Sequence, residues 1–556
     1  MKKWENKVHE SAIIRFIVLI FTKFLEIYND SLLEKLIGSV CGFFKKRSAN
    51  SRICKLFVTK PGEGRIFRSS IFYKLITTPV LWVKKASYII GNKISDMVFK
   101  SEILKLLSML EHISIRYVIV AVLVLLVVLM IAAAVLPYSA MLTLCCVVAS
   151  VIAAVGVLMI LKNTLLGIYL TVFLAPIVPT MVCVGLSGLC AVSFVLNMAT
   201  QKNRHYTITA IGTMLIAFVG LAAISTVTSI HREKSMQILM LYIAFAVFYF
   251  VMVNTVRTKQ QWYNLVMFFI LSATAVALFG VYQNFALETT SQSSWVDEEM
   301  FSQIGVRVYS TLDNPNVLGQ FLVLVIPVAF AMLVSEKKLI KRLIFFASCV
   351  IMGACLVFTW SRAGWVAIIL ALGFFVVMKD RRWSTLCIVA LLIMPFILPE
   401  NIISRITSIG NMKDSSTAYR VSVWIASLRI AADYWLGGIG LGSGAFERMY
   451  QHYALNGAGF ALHSHNFYIQ LVVEMGILGL VVFFAIIFVS YKQIVFIKDK
   501  KSANYNVALA IGGALLGYLF QGVAENLWYN YRMVLIFFIC LAILQSSAII
   551  SKGETL

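Results

Sequence analysis

Long apolar blocks, nearly free of charge, divide this 556-residue sequence, and they limit what the chain can fold into. We read them at roughly 117–137, 139–161, 164–180, 181–199, 207–230, 236–254, 264–286, 317–334, 342–358, 363–378, 384–398, 466–491, 503–522 and 533–551. About 20 residues at 1.5 Å rise cross the hydrocarbon of a bilayer, so each block reads as a spanning helix. In lipid every backbone N–H and C=O must be satisfied within the protein, which a helix does by itself. A membrane β-barrel would alternate apolar and polar residues rather than run continuously apolar. The composition agrees, with 60% hydrophobic and 13% charged residues, against about 45–50% and about 25% in soluble domains. A soluble enzyme and a secreted disulfide scaffold are excluded. The expected fold is an all-α, polytopic integral membrane protein with about 14 transmembrane helices.

The net charge of +23 points to nucleic acid only until it is mapped. Residues 1–116 carry 21 Lys/Arg and 9 Asp/Glu. With the N-terminus inside, the inner loops carry 17 basic and 4 acidic residues, and the outer segments 10 basic and 12 acidic. Lys and Arg favour cytoplasmic loops, so the charge is topogenic and no nucleic-acid partner is expected. The 164–199 block reads as one long span or two short ones. Two spans keep Lys162 on the same side as Lys202 and Arg204, which favours fourteen.

The chain divides into a basic, amphipathic region at 1–116 and a transmembrane domain at 117–556, with a long extracytoplasmic loop at 399–465 that contains short helices. In 1–116, short apolar runs alternate with Lys and Arg, a pattern suited to helices lying on anionic membrane lipids. The ten cysteines contain no C-x-x-C pair and no zinc-type spacing, so they read as small buried hydrophobes.

Chemistry concentrates on loops held by a rigid scaffold. A first outer segment, about 287–316, ends in Thr311-Leu312-Asp313-Asn314-Pro315-Asn316, where Asn-Pro-Asn reads as a turn that starts a helix. The second, 399–465, holds Arg420 and Trp424 one helical turn apart, a glycine-rich run from Gly437 to Phe446, and Leu462-His463-Ser464-His465-Asn466 at the mouth of the next span. No strand precedes the glycine run and no Lys-Ser/Thr follows it, so it reads as an irregular loop near the membrane surface rather than a nucleotide site. Thr359-Trp360-Ser361-Arg362 lies between two spans on the same side. Arg362, Arg420 and His465 thus converge on one face under a topology drawn from charge alone. Guanidinium groups suit bidentate phosphate binding, and a histidine suits proton transfer.

These pieces resemble the O-antigen polymerase and ligase family of bacterial envelope polysaccharide glycosyltransferases. The matching stretches are Asp313-Asn314-Pro315-Asn316-Val317-Leu318-Gly319, Ser361-Arg362-Ala363-Gly364, Arg420 to Trp424 with Gly437 to Phe446, and His465-Asn466 followed by Glu474-Met475-Gly476-Ile477-Leu478-Gly479-Leu480. The resemblance implies a GT-C-like enzyme of the bacterial cytoplasmic membrane with its active site extracytoplasmic. It implies inverting glycosyl transfer without metal or other cofactor, from an undecaprenyl-diphosphate-linked glycan donor to a glycan acceptor, alongside other polysaccharide-assembly proteins. Carried over by motif, Arg362 and Arg420 would hold the diphosphate leaving group, and His465, with His463 as the neighbouring candidate, would orient or deprotonate the attacking hydroxyl. Polymerisation of repeat units is the leading expectation and ligation onto an envelope acceptor the alternative. A transporter or flippase, or a membrane scaffold, is the competing class. A flippase would place charges within its spans, where this chain has little beyond Glu474.

Overall fold

The computed structural model describes residues 138–200, 206–286, 307–380, 415–456 and 458–551, with Ser39, Ile403 and Thr407 singly. The basic region at 1–116 apart from Ser39, the spans at 117–137 and 384–398, all of 287–306 and most of 399–414 lie outside the described residues, as do Lys202 and Arg204.

Among the described residues the regular structure is helical, without strands. Its helices are α1 (Tyr138–Lys162), α2 (Thr164–Leu174), α3 (Thr180–Thr200), α4 (Ala210–Val227), α5 (Arg232–Thr255), α6 (Lys259–Ala286), α7 (Pro315–Ser335), α8 (Leu339–Phe358), α9 (Arg362–Lys379), α10 (Ser415–Asp433), α11 (Gly442–Tyr450), α12 (Phe467–Val495), α13 (Ala503–Gln521) and α14 (Arg532–Ser551). Ten of these, α3 to α9 and α12 to α14, are long and apolar enough to cross a membrane. This is an all-α, polytopic membrane protein. Fourteen labelled helices are not fourteen spans, since α10 and α11 belong to the long loop.

Local chemistry sets the boundaries. Asn314 caps α7 by accepting from the amides of Asn316 and Val317, and Pro315 fills the first turn, where no donor is needed. Ser361, Asn466 and Ser502 cap α9, α12 and α13 in the same way. The 164–199 block is two helices, because Pro176 and Pro179 cannot continue one. The outcome differs in part from the expectation of two spans. Helix α3 has spanning length, whereas α2 has 11 residues, about 16 Å. The turn after it runs to the wall of the cavity described below.

Helix α14 is buried along its whole length, and α7 and α13 over most of theirs. Helices apolar on every side belong at the centre of a bundle. Helices α3, α4, α8 and α9 leave apolar side chains such as Met181, Ile224, Phe346 and Met378 exposed, as lipid-facing surfaces do. Helices α9 and α13 meet through small residues on both sides. A Cβ on Gly513 or Gly517 would strike the backbone carbonyls of Ala371 and Ala367, and small residues four apart are what let membrane helices approach so closely. Gly517→Leu is therefore expected to destabilise the bundle by about 1–3 kcal/mol. Gly353→Leu, on α8 in open surroundings, should change nothing. Unfolding midpoints in mixed micelles decide between them.

The 466–491 block, read as one continuous span, is interrupted. Gly476 has φ 69° and ψ −176°, so α12 breaks there. The chain from Trp435 to Leu441 runs alongside the break and takes up its backbone groups. Ile439 N–H donates to Val473 O at 2.8 Å, and Ile477 N–H to Trp435 O at 2.7 Å. Gly438 and Gly476 both have positive φ, and each faces the other segment's backbone, where a Cβ would collide. The glycine-rich run is thus a strap seated in a broken helix. Irregular backbone is tolerated at such depth only when protein covers it.

Candidate active site

The turn from His463 to Asn466 is tied down on all sides. Ser464 N–H donates to Gln470 Oε1 at 2.7 Å, Asn466 Nδ2 donates to Val523 O at 2.9 Å, and Phe467 N–H donates to Gly522 O at 2.8 Å. The indole N–H of Trp424, on α10, donates to His465 O at 3.2 Å. His465 sits at φ 48°, a conformation that is uncommon for a side chain of this size and that surrounding structure must enforce. The stitching to residues 522–523 brings Glu525 beside the histidine.

Glu525 is the centre of the cluster. Its Oε1 accepts from Arg420 Nη2 at 2.5 Å and from Asn316 Nδ2 at 2.8 Å, and its Oε2 lies 3.7 Å from His465 Nδ1. Burial alone would push this carboxyl up, but the Arg420 guanidinium, with His465 and His463, outweighs it and holds it at about 2. Arg307 extends the network, donating from Nη2 to Asn316 Oδ1 at 3.0 Å and from Nε to Thr359 O at 3.0 Å. The stretch from Asp313 to Gly319 therefore does two jobs: Asn314 caps a helix while Asn316 supports the carboxylate.

The two histidines have different environments. Their rings lie 4.1 Å apart between centroids, and Tyr529 packs at a tilt against the more buried one, His463, at 4.4 Å. His463 Nδ1 accepts from His465 N–H at 3.2 Å, which leaves the ring proton on Nε2. Burial, then the neighbouring His465 and Arg420, push its pKa down to about 3. His463 is accordingly a neutral hydrogen-bonding group at physiological pH. His465 has a carboxylate facing Nδ1 instead. At that separation, 3.7 Å, Nδ1 is buried and without a direct hydrogen bond, so a small movement of the ring would bring it onto the carboxylate.

A cavity of about 850 Å³ opens beside this cluster. His463 and Leu462 form one wall, and the others come from Glu474 and Gln470 of α12, Tyr242 of α5, and residues 526–532. Arg532 reaches into it, donating to Asp313 Oδ2 at 2.6 Å and to Thr311 O at 2.7 Å.

Of the residues expected from the sequence, His463, His465 and Arg420 come together. Arg420 contacts a carboxylate with one guanidinium nitrogen. Arg362 stands half-buried at the start of α9, next to the Thr359 carbonyl that receives Arg307. Among the described residues no ion pair joins it to Glu525. Glu525, Arg307, Asn316 and Arg532 were missed. The available signal was the short 522–531 segment, where Glu525 and two Asn lie among three aromatic residues on the face assigned to the site. Among the described residues no group of three or more His, Cys, Asp or Glu side chains is arranged to hold a metal ion.

Fold and site together define a multi-pass membrane protein with a histidine–carboxylate–arginine centre at one end of its helix bundle. Residues 347–484 match the family model described as O-antigen ligase, and this supports the resemblance read from the sequence. The matched segment runs from within α8 to within α12, about a quarter of the chain, and includes Arg362, Arg420, His463 and His465 but not Glu525. No curated protein matches the chain. At the coarse level, the family match supports a glycosyltransferase-type membrane enzyme of O-antigen ligase and polymerase character, acting in polysaccharide biosynthesis on a lipid-linked glycan and an acceptor.

Proposed function

We propose that the protein polymerises undecaprenyl-diphosphate-linked oligosaccharide repeat units into a cell-surface polysaccharide by inverting, metal-independent glycosyl transfer. The observation carrying this reading is the His465 ring beside Glu525, with Arg420 on the same carboxylate and the cavity-lining His463 against it. His465 Nε2 takes the proton of the attacking sugar hydroxyl, and Glu525 stabilises the resulting imidazolium. The hydroxyl oxygen bonds to the anomeric carbon as the bond to the lipid diphosphate breaks. Arg362 and the unengaged donors of Arg420 stabilise the charge that develops on the leaving diphosphate. In this reading the cluster faces outward across the bacterial cytoplasmic membrane, with residues 1–116 at its inner surface and about 14 spans in all. Ligation onto an envelope acceptor is the second reading, favoured by the description of the matched family model.

The test uses purified protein and purified lipid-linked donor, with chelator present. A ladder of lengthening lipid-linked chains supports polymerisation, transfer of intact chains onto a second acceptor supports ligation, and strict dependence on a divalent ion defeats the metal-independent mechanism. In intact cells, an impermeant maleimide should modify a single cysteine at Ser415 and not one at Ser384. The reverse pattern would remove the orientation.

A further inference from the structure

The cavity next to the histidines has a chemistry of its own. Its only cationic side chain among the described lining residues is Arg532, which is buried and already paired with Asp313 at 2.6 Å. Arg362 and Arg420, the guanidinium groups assigned to the diphosphate, do not line it. A diphosphate carries several negative charges and needs cations or clustered amides to replace its water. This cavity offers a carboxyl instead.

That carboxyl is Glu474, 6% exposed, at the last turn of α12 before the break. It is held by a chain of hydrogen bonds that starts between the two histidines. Ser464 N–H fixes the carbonyl of Gln470 at 2.7 Å, and the other end of the same amide donates to Glu474 Oε1 at 2.8 Å. Glu474 O is also anchored, by Ser225 Oγ and by Gly440 N–H. Gln470 thus sets one carboxyl oxygen, the Gly442 N–H also approaches the carboxyl, and Glu474 forms part of the cavity wall. Around it stand the Tyr242 and Tyr531 side chains and the amides of Asn526 and Asn530. Planar carboxyl and amide groups beside aromatic rings match a sugar ring, which presents hydroxyl groups at its edge and an apolar C–H face. A volume of about 850 Å³ lies within the range of small-molecule sites.

We infer that this cavity is the acceptor-sugar site: Glu474, positioned by Gln470, binds hydroxyl groups of the acceptor's terminal sugar beside His463, and the diphosphate is bound outside it. The inference rests on the proposed glycosyl transfer for its substrate class, and it adds where each part of the substrates sits. Sugar and diphosphate are sorted by the absence of a spare cation in one compartment and the presence of guanidinium groups beside it.

Full-length protein in nanodiscs tests this by titration with the free oligosaccharide released by mild acid from the producing cells' lipid-linked pool. Saturation-transfer NMR follows binding, and inorganic pyrophosphate serves as competitor. Saturable binding is expected, with no displacement by pyrophosphate. Glu474→Gln, which keeps the shape and replaces a carboxyl oxygen by an amide donor, should weaken it about 10–100-fold and raise the acceptor KM far more than it lowers kcat. Because Glu474 adjoins the helix break, Ser443→Phe provides a second variant. Ser443 lines the cavity on α11, and a phenyl ring there should weaken binding at least about 10-fold by intruding on the space the sugar would occupy. Competitive displacement by pyrophosphate, or wild-type affinity in either folded variant, overturns the inference. If His465→Ala keeps full turnover while oligosaccharide binding follows Glu474, the glycosyl-transfer mechanism fails and the sugar site stands. A dead His465→Ala with wild-type binding in Ser443→Phe sinks the sugar site alone.

Discussion

His465→Ala is expected to lose about 10²–10⁴ in turnover, the usual effect of removing a positioned general base, while still binding the lipid-linked donor. The residue is held at positive φ by hydrogen bonds to its loop and by the Trp424 indole, with Nδ1 toward Glu525. The ring is aimed by the fold rather than by its own rotamer preference. His463→Ala should be milder, since His463 is a neutral wall group whose pKa lies near 3. Full activity of His465→Ala in single-turnover chain extension is the result that removes the mechanism.

Glu525→Gln should be almost as severe, again about 10²–10⁴ in kcat, because the variant keeps the shape and loses the charge that orients the imidazole and supports its protonated form. The donor KM should move too, since Arg420 would lose its anionic partner and keep at most a neutral acceptor. Glu525→Asp, which keeps the charge on a shorter arm, should recover part of the rate. An acid limb set by Glu525 itself is not expected: the carboxyl is held near 2 and stays ionised well below the range in which the enzyme is assayed. If Glu525→Gln turned over at the wild-type rate, the carboxylate would be a structural clamp for Arg420 and nothing more.

The helical architecture was legible because lipid leaves few alternatives for an apolar block. Each apolar block that falls on the described residues coincides with a helix, and Asn314, Ser361 and Asn466 cap as their types suggest. The cluster was only half legible. His463, His465 and Arg420 stand in unusual local patterns, and those patterns sit on segments long enough to attract a reading. Glu525 stands in a short connection, and its importance comes from three partners that are 209, 105 and 60 positions away in sequence. Nothing in local spacing encodes such a meeting. The break at Gly476 was hidden for a related reason. A single glycine in an apolar run is compatible with a continuous helix, and only the strap from Trp435 to Leu441, coming from elsewhere in the chain, makes the break stable.

That break also resolves an apparent conflict with the bilayer. A carboxyl eight residues into a 29-residue apolar helix looks stranded in hydrocarbon, where an ionisable group is expensive. Yet the stretch after the break, Ile477–Val495, has 19 residues and a length of about 28 Å, close to the thickness of the hydrocarbon layer. That stretch can cross by itself. The segment before it is then not needed to cross, and it meets Ser225, three positions from the start of the turn that ends α4. Under the proposed function Glu474, as part of the cavity wall, would meet the acceptor without the acceptor having to leave the aqueous boundary. On that proposal, a glycan tethered to lipid by its far end and read at the surface by its near end would grow without any part of it entering the membrane.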